Sequence, residues 1–287
     1  MPRRGTLTRA PSLAGVSVVA FCGRRLDEQQ ETSKRNGSGS NSNSPGCLLL
    51  LGTLDNALAA AAAAVSTQQL DDGRNVQITH LVSVADNSKA AQVRKAISKN
   101  DKSSIVHFSC HYMADRLPME EVVDIQKITA APLSSIEQAV GFSMSDTCAR
   151  EPPSPPFGED TVAQRSVLVH CNQGFNRSPT LVLTYLLRTG LSLRDSYKLL
   201  LRSRSSVDPL PPYRRALRDY ECSLSGEATV QEEEVFQLHF AELGALVKRE
   251  NQEREGSGNN VKDSVDLALE LRNKSISRLL GLDGVKE

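Results

Sequence analysis

Apolar residues fall along this chain in short runs separated by polar stretches, and the spacing inside each run predicts the element it forms. CLLLLG, residues 47–52, is a continuous apolar run closed by glycine, the pattern of a strand buried on both faces. Asp55 then stands at the capping position for a helix through DNALAAAAAAVSTQQL. ITHLVSV, residues 78–84, is β-branched and bounded by polar residues, so it reads as a strand, and SIVHFSCHYM, residues 104–113, reads as another. Over residues 124–144, Ile125, Ile128, Leu133, Ile136 and Val140 recur near one helical face, with Pro132 expected to interrupt the helix.

The next unit is sharper. SVLVH, residues 166–170, is a buried strand that runs straight into CNQGFNRS. Pro179 falls in what would be the first turn of a helix, where its missing N–H costs nothing, and TLVLTYLLRTG stops on Gly190. Ser192 with Asp195 makes a capping-box-like start for SLRDSYKLLLRSR, and PPYRRALRDYECSL opens a further helix with its prolines. Strands alternating with helices predict an α/β domain: a central, mostly parallel sheet flanked by helices, with ligands at the carboxyl ends of its strands.

Polar segments set the expected boundaries. Residues 1–46 read as a disordered basic and polar tail, because EQQETSKRNGSGSNSNSPG has too little apolar surface to offset its ordering entropy. The domain proper spans 47–224, with 145–165 a Pro-rich insertion carrying Pro152, Pro153, Pro155 and Pro156. Residues 225–287 read as a helical, charged tail, in which Val235, Leu238, Leu243 and Leu246 lie among charges. An accessory helical tail and a partner-binding helix both fit that pattern.

Composition narrows the function classes. Lys plus Arg equals Asp plus Glu at 34 each, so no net field favours nucleic acid or an anionic membrane surface. No apolar run is long enough to cross a bilayer; the alanine-rich stretch 57–65 is too short. The six cysteines lie far apart without paired metal spacing, which fits a reducing compartment. A cytoplasmic location is expected, with an organelle as the alternative if residues 1–25, with five arginines and no acid, are a transit peptide.

His170, Cys171, Gly174, Arg177 and Ser178 form H-C-x-x-G-x-x-R-S between a buried strand and a Pro-started helix. A loop of this kind wraps a phosphate. The backbone N–H groups of Asn172, Gln173, Gly174, Phe175, Asn176 and Arg177 would point inward at a helix N-terminus, where an anion is stabilised. Gly174 lets the backbone turn, and Arg177 would present a planar fork to two phosphate oxygens. Cys171 would attack as thiolate, passing the phosphoryl group to sulfur, while Ser178 hydrogen-bonds the departing thiolate. His170 is expected to order the loop. No metal or other cofactor is expected, since Arg177 and the amides supply the electrostatic stabilisation.

VLVHCNQGFNRSPTLVLTYLL, with LLLLGTLDNAL, ITHLVSVAD and VDPLPPYRRALRDYE, resembles the atypical dual-specificity phosphatases, over about residues 47–224. The resemblance implies activity towards phosphotyrosine and phosphoserine or phosphothreonine in a phosphoprotein substrate. It also requires a separate carboxylic acid to protonate the leaving oxygen. Glu121, in LPMEE, and Asp115 are the two candidates, while Asp124 suits a helix cap. Asn176 stands where that family usually has serine. A phosphoprotein-binding pseudophosphatase with weak or no turnover is the alternative, and a rhodanese-like sulfurtransferase fits the loop spacing less well.

Overall fold

In a computed structural model the described residues are 16–22, 47–63, 68–69, 75–140 and 165–255. The predicted strand at residue 47 is β2 (Cys47–Gly52), preceded by β1 (Ser17–Cys22), which pairs with it antiparallel. So part of the expected N-terminal tail is sheet. Its apolar run, VVAFC, is short and lies between basic residues before it and a long polar stretch after it. β6 (Arg165–His170) pairs parallel with β2 on one side. On the other side it pairs parallel with β4 (Asn75–Ser83). β4 in turn pairs parallel with β5 (His107–Cys110) and, at its first two residues, antiparallel with β3 (Gln68–Gln69). The parallel order β2, β6, β4, β5 is the mostly parallel sheet expected of the α/β class.

Every residue of β2 is buried, which is why the strand reads as an unbroken apolar run instead of an alternating one. Leu48 and Leu50 pack with Ile78, Leu81 and Leu168 and with Ala57, Ala60 and Ala61 of α1 (Leu54–Ala62). Val93 of α2 (Asn87–Ser98) joins the same core. Each fully buried leucine contributes about 1.5–3 kcal/mol. Gly52 closes β2 where space is short: a Cβ there would meet Leu168 Cδ1 at 3.0 Å and Asn56 at 3.2 Å.

α1 corrects the expected cap. Thr53, not Asp55, is the N-cap residue: its Oγ1 accepts from Asn56 N–H, and Asn56 Oδ1 accepts from Thr53 N–H at 2.8 Å. Asp55 sits in the first turn, where its charge suits the helix dipole. The helix ends at Ala62, and Gln68–Gln69, expected to be helical, form a strand. α2 had no counterpart in the sequence reading; only Ala90 and Val93 are fully buried along its twelve residues, too few to produce a visible stripe. α3 (Ile125–Val140) runs through Pro132 without a break. The ring removes one backbone donor, yet Ile125, Thr129, Leu133, Ile136 and Ala139 still share one buried face. Asp124 immediately precedes this helix.

The chain divides into two compact units: residues 1–115 with 126–182, and 116–125 with 183–287. α4 (Arg177–Arg188) begins in the first, directly after the predicted loop, and Gly190 follows it at φ 94° as the expected stop. In the second unit α5 (Leu193–Ser203) starts on Ser192, whose Oγ accepts from Asp195 N–H as predicted. α6 (Pro211–Ser225) ends at Gly226 in the left-handed region. α7 (Leu238–Glu255) lies against α5, with Leu238, Leu243 and Leu246 buried. The first half of the expected C-terminal tail is therefore part of this unit's packing. Residues 145–164 of the Pro-rich insertion and the last amphipathic stretch lie outside the described residues. No described helix is long and apolar enough to cross a membrane.

Candidate active site

The site forms where β6 ends and α4 begins, at the carboxyl edge of the parallel strands. Two neighbours anchor the approach: Val84 N–H donates to His170 O at 2.9 Å, and Leu54 N–H to Asn172 O at 3.0 Å. Gly174 takes φ 73°, the left-handed conformation that only glycine adopts without strain. That turn sends its N–H inward to Cys171 Sγ at 3.2 Å. From the other side Ser178 Oγ–H donates to the same sulfur, also at 3.2 Å. Cys171 and Ser178 are both buried.

Arg177 is fully buried and sits among three acceptors. Its Nη1 donates to Asp86 Oδ1 at 3.1 Å and lies 3.5 Å from Met113 O. Nε stands 3.0 Å from Asp115 Oδ1 as an ion pair, without an N–H aligned for a hydrogen bond. Nη2 has no hydrogen-bond partner among the described residues. Both carboxylates are about half exposed, 47% for Asp86 and 49% for Asp115. A buried cation with water-facing partners and one unused donor is arranged to receive an anion from solvent.

His170 Nδ1 lies 3.1 Å from Cys171 O, joining the ring to the loop backbone. Burial holds its pKa down at about 4, opposed by that backbone contact and reinforced by the Arg177 charge. The ring is thus neutral at pH 7. Asn176 is buried, and its Nδ2 donates to Asp115 O at 3.4 Å, tying the segment that carries Asp115 to the loop. Its backbone oxygen receives Thr180 N–H and Thr180 Oγ1–H in the first turn of α4. Gln173 is exposed and Phe175 half-buried at the rim.

Of the two predicted acids, Asp115 lies against Arg177. Glu121 belongs to the second unit, where it is exposed and its N–H donates to Pro118 O. Asp86 was absent from the sequence reading. Its signal was there in SVAD, an acid just past the end of a predicted parallel strand, the edge where ligands bind.

Strand, loop and helix mark the class: an α/β protein whose cysteine- and arginine-bearing loop joins a parallel strand to a helix. Residues 160–223 match the family model for the dual specificity phosphatase catalytic domain. Over that segment the chain is similar to the catalytic domain of the dual-specificity phosphatases. It is 35% identical over 85 residues to human dual specificity protein phosphatase 9, covering 29% of this chain and 22% of that protein. It is 30% identical over 100 residues to the mouse serine/threonine/tyrosine-interacting protein, covering 32% and 44% respectively. Matched segments thus span less than half the length of these relatives. Among solved structures, human DUSP28 aligns over 61% of this chain and 89% of that one, with 20% identity and a TM-score of 0.38.

Proposed function

We propose that this chain is a cysteine-dependent protein phosphatase, acting on phosphotyrosine and phosphoserine or phosphothreonine through a phosphocysteine intermediate. The observation that carries this reading is the convergence on one sulfur. Gly174 N–H and Ser178 O–H both donate to Cys171 Sγ, beside a buried guanidinium with a spare donor. Two neutral donors aimed at one sulfur can stabilise the charge it carries as it leaves phosphorus.

In the first step Cys171 Sγ attacks phosphorus, the bond to the leaving oxygen breaks, and Asp115 gives that oxygen its proton. In the second, water attacks the phosphocysteine, Asp115 takes the water proton, and the S–P bond breaks. Sulfur leaves as thiolate with the Ser178 hydroxyl donating to it. Loop N–H groups and Arg177 hold the equatorial oxygens throughout. Asp115 is preferred to Glu121 as the acid because its carboxylate already stands beside Arg177, where the phosphate would bind.

A second reading, a phosphate-reading module without turnover, draws support from the same Asp115 contact, which occupies one arm of the arginine fork. One relative is also named as an interacting protein. Hydrolysis of an aryl phosphate and a phosphotyrosine peptide by the full chain, beside Cys171→Ser and Arg177→Ala, separates the two. Turnover lost in both variants supports the phosphatase. Phosphopeptide binding that needs Arg177, with no turnover in the intact chain, supports the module.

A further inference from the structure

Asp86 behaves against the interest of its own helix. It is the N-cap residue of α2, where aspartate ordinarily accepts from a first-turn N–H, yet its side chain makes no capping hydrogen bond. The carboxylate instead reaches the phosphate loop. Oδ1 takes Arg177 Nη1 at 3.1 Å, and Oδ2 accepts from Asn172 Nδ2 at 3.4 Å. A residue that breaks a local rule without local gain is expected where function compensates.

The atom it takes matters. A guanidinium offers two parallel donors along one edge, Nε–H and Nη2–H, and that fork is what grips a phosphate bidentately. Asp86 holds Nη1, outside the fork. Nη2 is without a partner among the described residues, and Nε faces Asp115. We propose that Asp86 is the positioning residue for Arg177, fixing the guanidinium plane and Asn172 so that the Nε and Nη2 edge meets the phosphate before substrate arrives. The inference rests on the phosphatase reading above. It also separates the two carboxylates: Asp86 keeps its contact when phosphate binds, whereas Asp115 holds a fork atom and is displaced towards the leaving oxygen.

The test uses the full chain with p-nitrophenyl phosphate, which has a good leaving group, and phenyl phosphate, which has a poor one. Inhibition by inorganic phosphate is measured alongside. Asp86→Ala should lower kcat/KM by about 10- to 100-fold on both esters equally and weaken phosphate inhibition by a comparable factor, because the misplaced group grips phosphate whatever leaves. Asp86→Asn should recover most of the loss. Its amide oxygen still accepts from Nη1, and Asn172 can turn its amide to offer its buried, unpartnered Oδ1. Asp115→Asn should lose far more on phenyl phosphate than on the nitrophenyl ester. Thermal unfolding checks that each variant is folded at the assay temperature, and Asp86→Ser, which keeps an N-cap side chain for α2 but is too short to hold Nη1, carries the test with the same expected loss if Asp86→Ala is not.

Asp86→Ala within twofold of wild type overturns the proposal, as does tighter phosphate inhibition, which would make Asp86 a competitor. Loss confined to phenyl phosphate would make it the acid. Activity loss in Asp86→Ala with no change in phosphate inhibition would make it a fold support. A wild-type chain that binds phosphate without turnover overturns the phosphatase reading alone, and phosphate affinity then decides on Asp86. A chain that neither turns over nor binds phosphate ends both.

Discussion

At the scale of single residues, the proposed phosphatase chemistry would divide between Cys171 for attack and Ser178 for release. Cys171→Ser removes the nucleophile, so turnover should fall below detection while phosphate binding through Arg177 persists; isothermal titration with phosphate checks the second half. Ser178 Oγ donates to the sulfur, so Ser178→Ala should slow thiolate departure more than attack. Rapid mixing with p-nitrophenyl phosphate should then show a burst of about one nitrophenolate per enzyme before a steady rate reduced by about 10- to 100-fold. A variant with no burst and an unchanged rate would remove Ser178 from the mechanism. The loop was legible in sequence because five chemically distinct positions fall in one nine-residue window between a strand and a helix. Asp86 was not, because its partner Arg177 lies 91 residues away and only folding brings them together. The acid stayed open for the same reason: Asp115 and Glu121 lie close together in sequence, and only the folded chain sets Asp115 against Arg177.

At the scale of elements, what the sequence showed and what it hid follow from burial. β2 and β6 were plain because a strand covered on both faces is apolar along its length, whereas the VVAFC run of β1 was overshadowed by the polar stretch after it and α2 buries little. Helix ends were less certain, since Thr53 and Asp55 are both good caps and the choice falls to Asn56, which completes the box with Thr53. Long-range caps were invisible. The buried Glu221 of α6 accepts Leu193 N–H at 2.7 Å, at the start of α5, and Thr229 N–H at 2.9 Å, with Thr229 Oγ1 at 2.8 Å. One carboxylate thus serves two backbone donors, that of the buried Leu193 and that of the exposed Thr229. Glu221→Ala leaves the buried Leu193 N–H unsatisfied and should lower stability by about 2 kcal/mol. Urea unfolding followed by circular dichroism measures this; a loss under 1 kcal/mol would mean water replaces the carboxylate. Aryl phosphate turnover should be retained below the unfolding midpoint.

At the scale of the whole molecule, three buried or half-buried histidines set the response to acid. Burial lowers the pKa of His170 to about 4, and burial is also the leading cause of the downward shifts at His111, where His107 adds repulsion, and at His239, where Asp208 opposes it. For each group the unfolded chain binds a proton more readily than the native one. Stability is therefore fully present above the ordinary histidine pKa of 6.5 and is lost as pH falls from there towards the folded value. For His170 that window runs from 6.5 to about 4, and the difference between pH 7 and pH 5 comes to about 2 kcal/mol. Urea unfolding at the two pH values should show the fall, with His111 and His239 adding to it. Carboxylates titrate mainly below this window, so the histidines dominate its upper half. His170→Asn keeps a polar side chain at the loop but cannot ionise, so its stability should change less between pH 7 and pH 5 by about that amount, even if it starts lower. An equal fall in wild type and variant would mean that His170 takes up its proton in the folded chain, and the loop would then have to hold an imidazolium beside Arg177. Such a second buried cation would strengthen phosphate binding below pH 6, so phosphate inhibition measured at pH 5 provides an independent check on the same protonation state.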